Sequence, residues 1–185
     1  MKNAFASALA VLIILISLAP SNAQEKKARV SPHETIKATI DGDEISVSYG
    51  RPYMKDPKTG EKRKIWGGLV PFDKVWRLGA DEATLLTTQQ PIELGGKPIP
   101  AGTYSLFMLP RAGNTAALIV NKQTGQWGTK YDEKQDLVRV DMKGEAVEAP
   151  VDQLTIAIDK GSAGSGTLKI TWEGMQYSAD VKVRK

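Results

Sequence analysis

Trp76, Arg77, Asp81 and Glu82 lie within seven consecutive positions, and with Arg51 and Tyr104 they are the residues of this chain whose types could do chemistry. Two adjacent carboxylates suggest acid–base work. Glycosidases set such a pair about 5–10 Å apart across the scissile bond, and Glu82 would be the acid/base. Neighbours on an extended strand point to opposite faces, however. Asp81 and Glu82 can act together only if the backbone turns, which Gly79 would permit. The second chemistry is recognition: a guanidinium binds anionic groups through a planar fork of donors. Trp76, Trp66, Trp127, Tyr49 and Tyr104 could form a platform for a flat ligand or sugar ring. The third reading is architectural. Arg77 or Arg51 would then pair with one of the carboxylates in a buried network that specifies the fold.

Other chemistries are excluded or left without support by residue type. The chain has no cysteine, which removes thiol catalysis, redox motifs and zinc–thiolate sites. His33 is the single histidine, so a zinc site built on several imidazoles is ruled out. A serine triad would have to run through His33, which otherwise reads as a strand-entry residue after Ser31-Pro32 or as a group at a cleft mouth. Asp41-Gly42-Asp43-Glu44 has the look of a calcium loop but lacks the later ligands, and a hairpin turn accounts for it. Gly67-Gly68, Gly95-Gly96 and Gly102 precede no helix and read as turns, not phosphate cradles. No metal and no cofactor is expected.

The elements that must position these residues are strands. Ile36, Ala38 and Ile40 alternate with polar residues, and Ile45, Val47 and Tyr49 resume the period across a turn of two (41–42) or four (41–44) residues. Leu154, Ile156 and Ile158 are followed by a Gly/Ser loop, and Leu168, Ile170 and Trp172 point back. Tyr177, Ala179, Val181 and Val183 then alternate with Ser178, Asp180, Lys182 and Arg184. Residues 104–109 (YSLFML) are apolar on both faces after Ser105 and read as a strand covered on both sides, with 116–120 as hairpin partner. Val138, Val140 and Met142 form another strand, and 84–88 and 92–94 shorter ones. At most a turn of helix fits near 72–76 or 130–135. About nine to eleven short strands with regular turn signals predict an all-β, antiparallel, jelly-roll-like β-sandwich. Residues 53–64 read as a charged exposed loop.

Residues 1–23 read as a cleaved signal peptide. Lys2 supplies the cationic start, 8–18 (ALAVLIILISL) the apolar core, and Ser21 and Ala23 the small residues before the cut. The apolar run is shorter than the about 20 residues a membrane span needs. Residues 24–30 follow as a flexible leader, then a single domain over 31–185, with no transmembrane segment after cleavage. The whole chain carries +4, and losing 23 residues with one lysine and no acid leaves 162 residues at +3. So small and dispersed an excess of base argues against a nucleic-acid partner.

Several stretches resemble a bacterial exported family, the domain of unknown function 2911 family. They are Ser31-Pro32, 49–52 (YGRP), 65–72 (IWGGLVPF), 74–84 (KVWRLGADEAT), Gly96-Lys97, 100–107 (PAGTYSLF) and 126–128 (QWG). The family pattern usually has Asn where this chain has Asp81, and a more compact loop than 53–64. The resemblance implies a β-rich protein of the bacterial envelope and attaches no activity to it. The reading that follows is a periplasmic or secreted, non-catalytic binding or structural module. Its candidate cluster is Arg51, Trp76, Arg77, Asp81, Glu82 and Tyr104, and a glycan or another envelope component would be its partner. The alternative is a hydrolase acting on glycan or ester.

Overall fold

The computed structural model describes residues 29–184. The segment read as a signal peptide, 24–28 of the leader and Lys185 lie outside the described residues. Nine strands follow one another: β1 (His33–Ile40), β2 (Asp43–Gly50), β3 (Ala80–Thr88), β4 (Ile92–Leu94), β5 (Lys97–Ile99), β6 (Gly102–Arg111), β7 (Thr115–Asn121), β8 (Asp136–Lys160) and β9 (Ser165–Val183). Among the described residues the helical content is one 3₁₀ turn, Glu133–Gln135, within the second of the two stretches where the sequence admits a turn of helix. No helix there is long and apolar enough to cross a membrane.

The strands form one open antiparallel sheet in the order β1-β2-β3-β6-β7-β8-β9-β4-β5. The chain is a meander except for the β4–β5 hairpin, which is carried to the far edge and pairs with β9. The sheet curls until the second half of β8 packs against its β1–β2 end. Ile156 N donates to the Tyr49 hydroxyl at 2.9 Å, and Leu154 N to Pro52 O at 3.0 Å, bringing β8 against the β1–β2 hairpin. Between these facing parts lies the main core, which includes Val47, Tyr49, Leu106, Met108, Leu118, Ile156, Ile170 and Trp172.

Local chemistry explains the elements. Asp41 and Gly42 both have positive φ (48° and 85°), as a two-residue hairpin turn of the primed type requires, and Ile40 pairs with Asp43. The covered strand is β6. Tyr104, Leu106 and Met108 join the main core, and Phe107 packs on the other face with Ala83, Ile119 and Tyr131 under the 122–135 segment. Two differences from the sequence reading stand out. The runs 138–142 and 154–158 are one bent strand, β8, and the runs 168–172 and 177–183 are one strand, β9. The bends coincide with register shifts between Ala146 and Val151 and with Glu173 at φ 51°. The inward set of β9 changes from even to odd positions between Trp172 and Tyr177, and an extra bulge residue is what such a change of parity demands.

Candidate functional site

The six candidate residues do not form one cluster. Tyr104 is a core residue whose hydroxyl donates to Pro100 O at 3.0 Å. Arg51 is a clamp between β1 and the second half of β8. Its guanidinium donates to Leu154 O and Thr155 Oγ1, each at 3.0 Å, and pairs with Glu34 Oε2 at 3.0 Å. The expected ion pair between Arg77 and a neighbouring carboxylate does not form, nor does Arg51 reach those carboxylates. Asp81 and Glu82 turn instead to Arg29 and His33, and Arg77 lies with Trp76 on the wall of a separate cleft.

That cleft measures about 450 Å³ and is bounded by chain segments distant in sequence. Five rings line it: Tyr53, Trp76, Phe107, Tyr131 and Trp172. Trp76 is paired antiparallel with Met108 and stacks on Trp172 with centroids 5.8 Å apart and planes at 18°, so its orientation is held by the core. The Tyr131 hydroxyl is occupied elsewhere: it donates to Asp136 Oδ2 at 2.7 Å and accepts from Arg139 at 3.0 Å. Burial, together with the Asp136 carboxylate, pushes Tyr131 up to about 12, so this phenol presents a ring and not a proton to the cleft.

Two cations line the cleft, Arg63 and Arg77, and no lining residue is acidic. Arg63 is engaged with backbone carbonyls, its guanidinium donating to Tyr53 O at 2.5 Å and Met54 O at 3.3 Å. Arg77 is half-buried and makes no hydrogen bond or ion pair among the described residues. Its stem crosses Gly128, where an added Cβ would come within 2.9 Å of both Arg77 Cδ and the Asp81 carbonyl oxygen. Glycine at 128 is thus what allows the arginine to lie where it does. The exposed large apolar side chains Val30, Leu69 and Val75 also line this cleft and make its rim apolar.

The acidic corner is built by register. His33 of β1 pairs with Gly50 of β2, which pairs with Ala80 of β3. Gly50 presents no side chain, so the imidazole reaches across β2 to the start of β3, with Nε2 3.2 Å from Asp81 Oδ2 and 3.5 Å from Glu82 Oε2. The backbone does turn between the two carboxylates, but at Asp81 itself (φ 64°) and not through a positive φ at Gly79. That left-handed residue brings neighbouring side chains to one side. Arg29, from the stretch read as leader, donates to both Glu82 oxygens at 2.5 and 2.8 Å.

The Arg29 fork holds Glu82 down at about 2, from an ordinary 4.5. A depressed carboxyl contributes stability that is present above 4.5 and lost as pH falls through about 2. The Glu82 side chain is 47% exposed, so the contribution is below about 1 kcal/mol. In Arg29→Ala the Glu82 side-chain carboxyl, followed by carbon-detected NMR, is expected to titrate close to the ordinary range. A titration unchanged by the substitution would show that Arg29 is not the cause. A carboxyl near 2 is also poorly matched to general acid or base work near neutral pH.

Trp66 and Tyr49 of the supposed platform are core residues, and Trp127 is exposed beside the cleft residue Gly128. The sequence reading missed Tyr53, Arg63, Phe107 and Tyr131 as cleft residues. Only tertiary packing assembles them, and no spacing in the chain signals it. A family model described as Protein of unknown function (DUF2911) matches residues 31–181. No curated protein and no solved structure matches the chain.

Proposed function

The chain belongs to the DUF2911 family, and from that premise we propose that it is an exported, non-catalytic module of the cell envelope that binds a small ligand in the ring-lined cleft. The ligand has an apolar, ring-bearing body and an anionic group. The observation that carries this is Arg77: a half-buried arginine with no hydrogen-bond or ion-pair partner among the described residues, in an acid-free cleft walled by aromatic rings. A guanidinium without a partner among the described residues, on a wall shared with aromatic rings, favours a planar anion, because charge-assisted hydrogen bonds are the stronger ones. Export is supported by the apolar segment at 8–18 and the small residues at its end. The hydrolytic alternative has less support, since Glu82 faces Arg29 and does not line the cleft.

Calorimetric titration of the purified chain with 2-naphthoate, and with 2-naphthol as the neutral counterpart, tests the reading. Naphthoate is expected to bind more tightly than naphthol. Arg77→Ala is expected to weaken naphthoate about 10–100-fold, since a hydrogen bond to a charged group contributes about 1.5–3 kcal/mol. The same variant should melt within a few degrees of wild type, because Arg77 makes no hydrogen bond or ion pair among the described residues. Equal binding of acid and alcohol, or naphthoate binding indifferent to Arg77→Ala, would sink the proposal. A large fall in melting temperature would return Arg77 to an architectural role.

A further inference from the structure

We propose that His33 Nε2, Asp81 Oδ2 and Glu82 Oε2 form a seat for a divalent transition-metal cation, in competition with the Arg29 guanidinium. This goes beyond the cleft reading and does not depend on it. One ligand atom from each of the three residues can be chosen so that all lie within 4.8 Å of one another. The two distances from the imidazole nitrogen, 3.2 Å to Asp81 and 3.5 Å to Glu82, are close to what shared coordination needs. Donors bound at about 2.1 Å and separated by 90–110° at the metal lie about 3.0–3.4 Å apart.

Two more observations point to a cation. Arg29 Nη1 sits at the convergence point, 2.6 Å from His33 Nε2, 2.5 Å from Glu82 Oε2 and 3.8 Å from Asp81 Oδ2, so a positive group already uses all three. A second cavity, of about 310 Å³, opens beside it, with Arg29, His33 and Glu82 among its lining residues, leaving room for waters to complete a coordination shell. One imidazole with two carboxylates suits zinc, iron or manganese better than calcium or magnesium, which prefer oxygen alone. Gly50 is a positioning residue for the seat, since a Cβ there would lie 3.1 Å from His33 Nε2. The left-handed backbone at Asp81 brings the second carboxylate to the same side.

Calorimetric titration of the tag-free chain with zinc and with manganese decides the matter, with circular dichroism verifying the fold of each variant. The expected result is one cation per chain, zinc tighter than manganese, with binding lost in both His33→Ala and Glu82→Gln. Arg29→Ala should bind more tightly than wild type, because the internal competitor is gone. That gain separates a metal seat from a plain ion pair, in which removing Arg29 would create no affinity. Absence of binding in both wild type and Arg29→Ala would overturn the proposal. So would binding that persists undiminished in His33→Ala and Glu82→Gln.

Discussion

Asp43→Ala is expected to destabilise the protein by on the order of 3 kcal/mol, with a fall in melting temperature of roughly 6–12 °C for a domain of this size. Asp43 is completely buried at the start of β2, and its carboxylate accepts three hydrogen bonds. Thr88 Oγ1 donates at 2.8 Å, Gln89 N at 3.1 Å and Gln90 N at 3.0 Å. The two amides belong to the turn between β3 and β4, where the chain leaves the meander to carry β4–β5 to the far edge. Truncation leaves the two part-buried turn amides without their acceptor, and an orphaned donor costs more than the net worth of the bond it made, while Thr88 Oγ1 retains Gln90 O at 2.7 Å. Thermal melts of Asp43→Ala and Asp43→Asn separate the contributions. Asparagine keeps one acceptor oxygen and should recover part of the loss. A variant melting like wild type would show that the turn is held by other contacts.

Gly50→Ala is expected to cost a comparable amount, about 3 kcal/mol, at the upper end of what overpacking a filled site causes. A Cβ at position 50 would fall 2.4 Å from the Ala80 carbonyl oxygen and 3.0 Å from its carbon. Both are backbone atoms of the neighbouring strand and cannot move aside by a rotamer change. Relief requires separating β2 from β3, at the place where the register already shifts between Ser48 and Gly50. The substitution should therefore disturb the acidic corner as well as stability. A denaturation curve with an unchanged midpoint, together with unshifted His33 ring resonances, would refute this account of the glycine. Asp43 and Gly50 begin and end the same strand. Neither attracts notice in the sequence, where one reads as a turn aspartate and the other as part of a family motif.

What could be read from the chain follows from how local each cause is. The β1–β2 hairpin was legible because alternation and a turn dipeptide lie in one short window, and Asp41-Gly42 then form the turn with positive φ at both positions. The covered strand was legible because 104–109 shows no polar face, and β6 is buried on both sides. Joining of the runs into β8 and β9 was harder to read, since a kink looks like a strand end in the sequence. The change of inward parity between Trp172 and Tyr177 was the available signal.

The candidate site divides along the same line. Residue type alone identified Trp76, Arg77, Asp81 and Glu82 as the chemically capable group, and the absence of cysteine and of a second histidine removed whole classes of chemistry. Proximity in sequence then suggested that cation and carboxylates meet, and they do not. Arg77 precedes β3 and lies across Gly128 on the cleft wall, whereas the left-handed backbone at Asp81 turns both carboxylates toward Arg29 and His33. Register across β1, β2 and β3 carries His33 to Asp81, and curling of the sheet brings Tyr53, Arg63, Phe107 and Tyr131 around Arg77. The sequence by itself determined the all-β class, the inward and outward faces of the strands and the inventory of reactive groups. These depend on side-chain chemistry and short-range periodicity. Only the tertiary structure decided which groups share a site, because contacts between distant segments are set by register, bulges and sheet curvature, none of which is a local property of the chain.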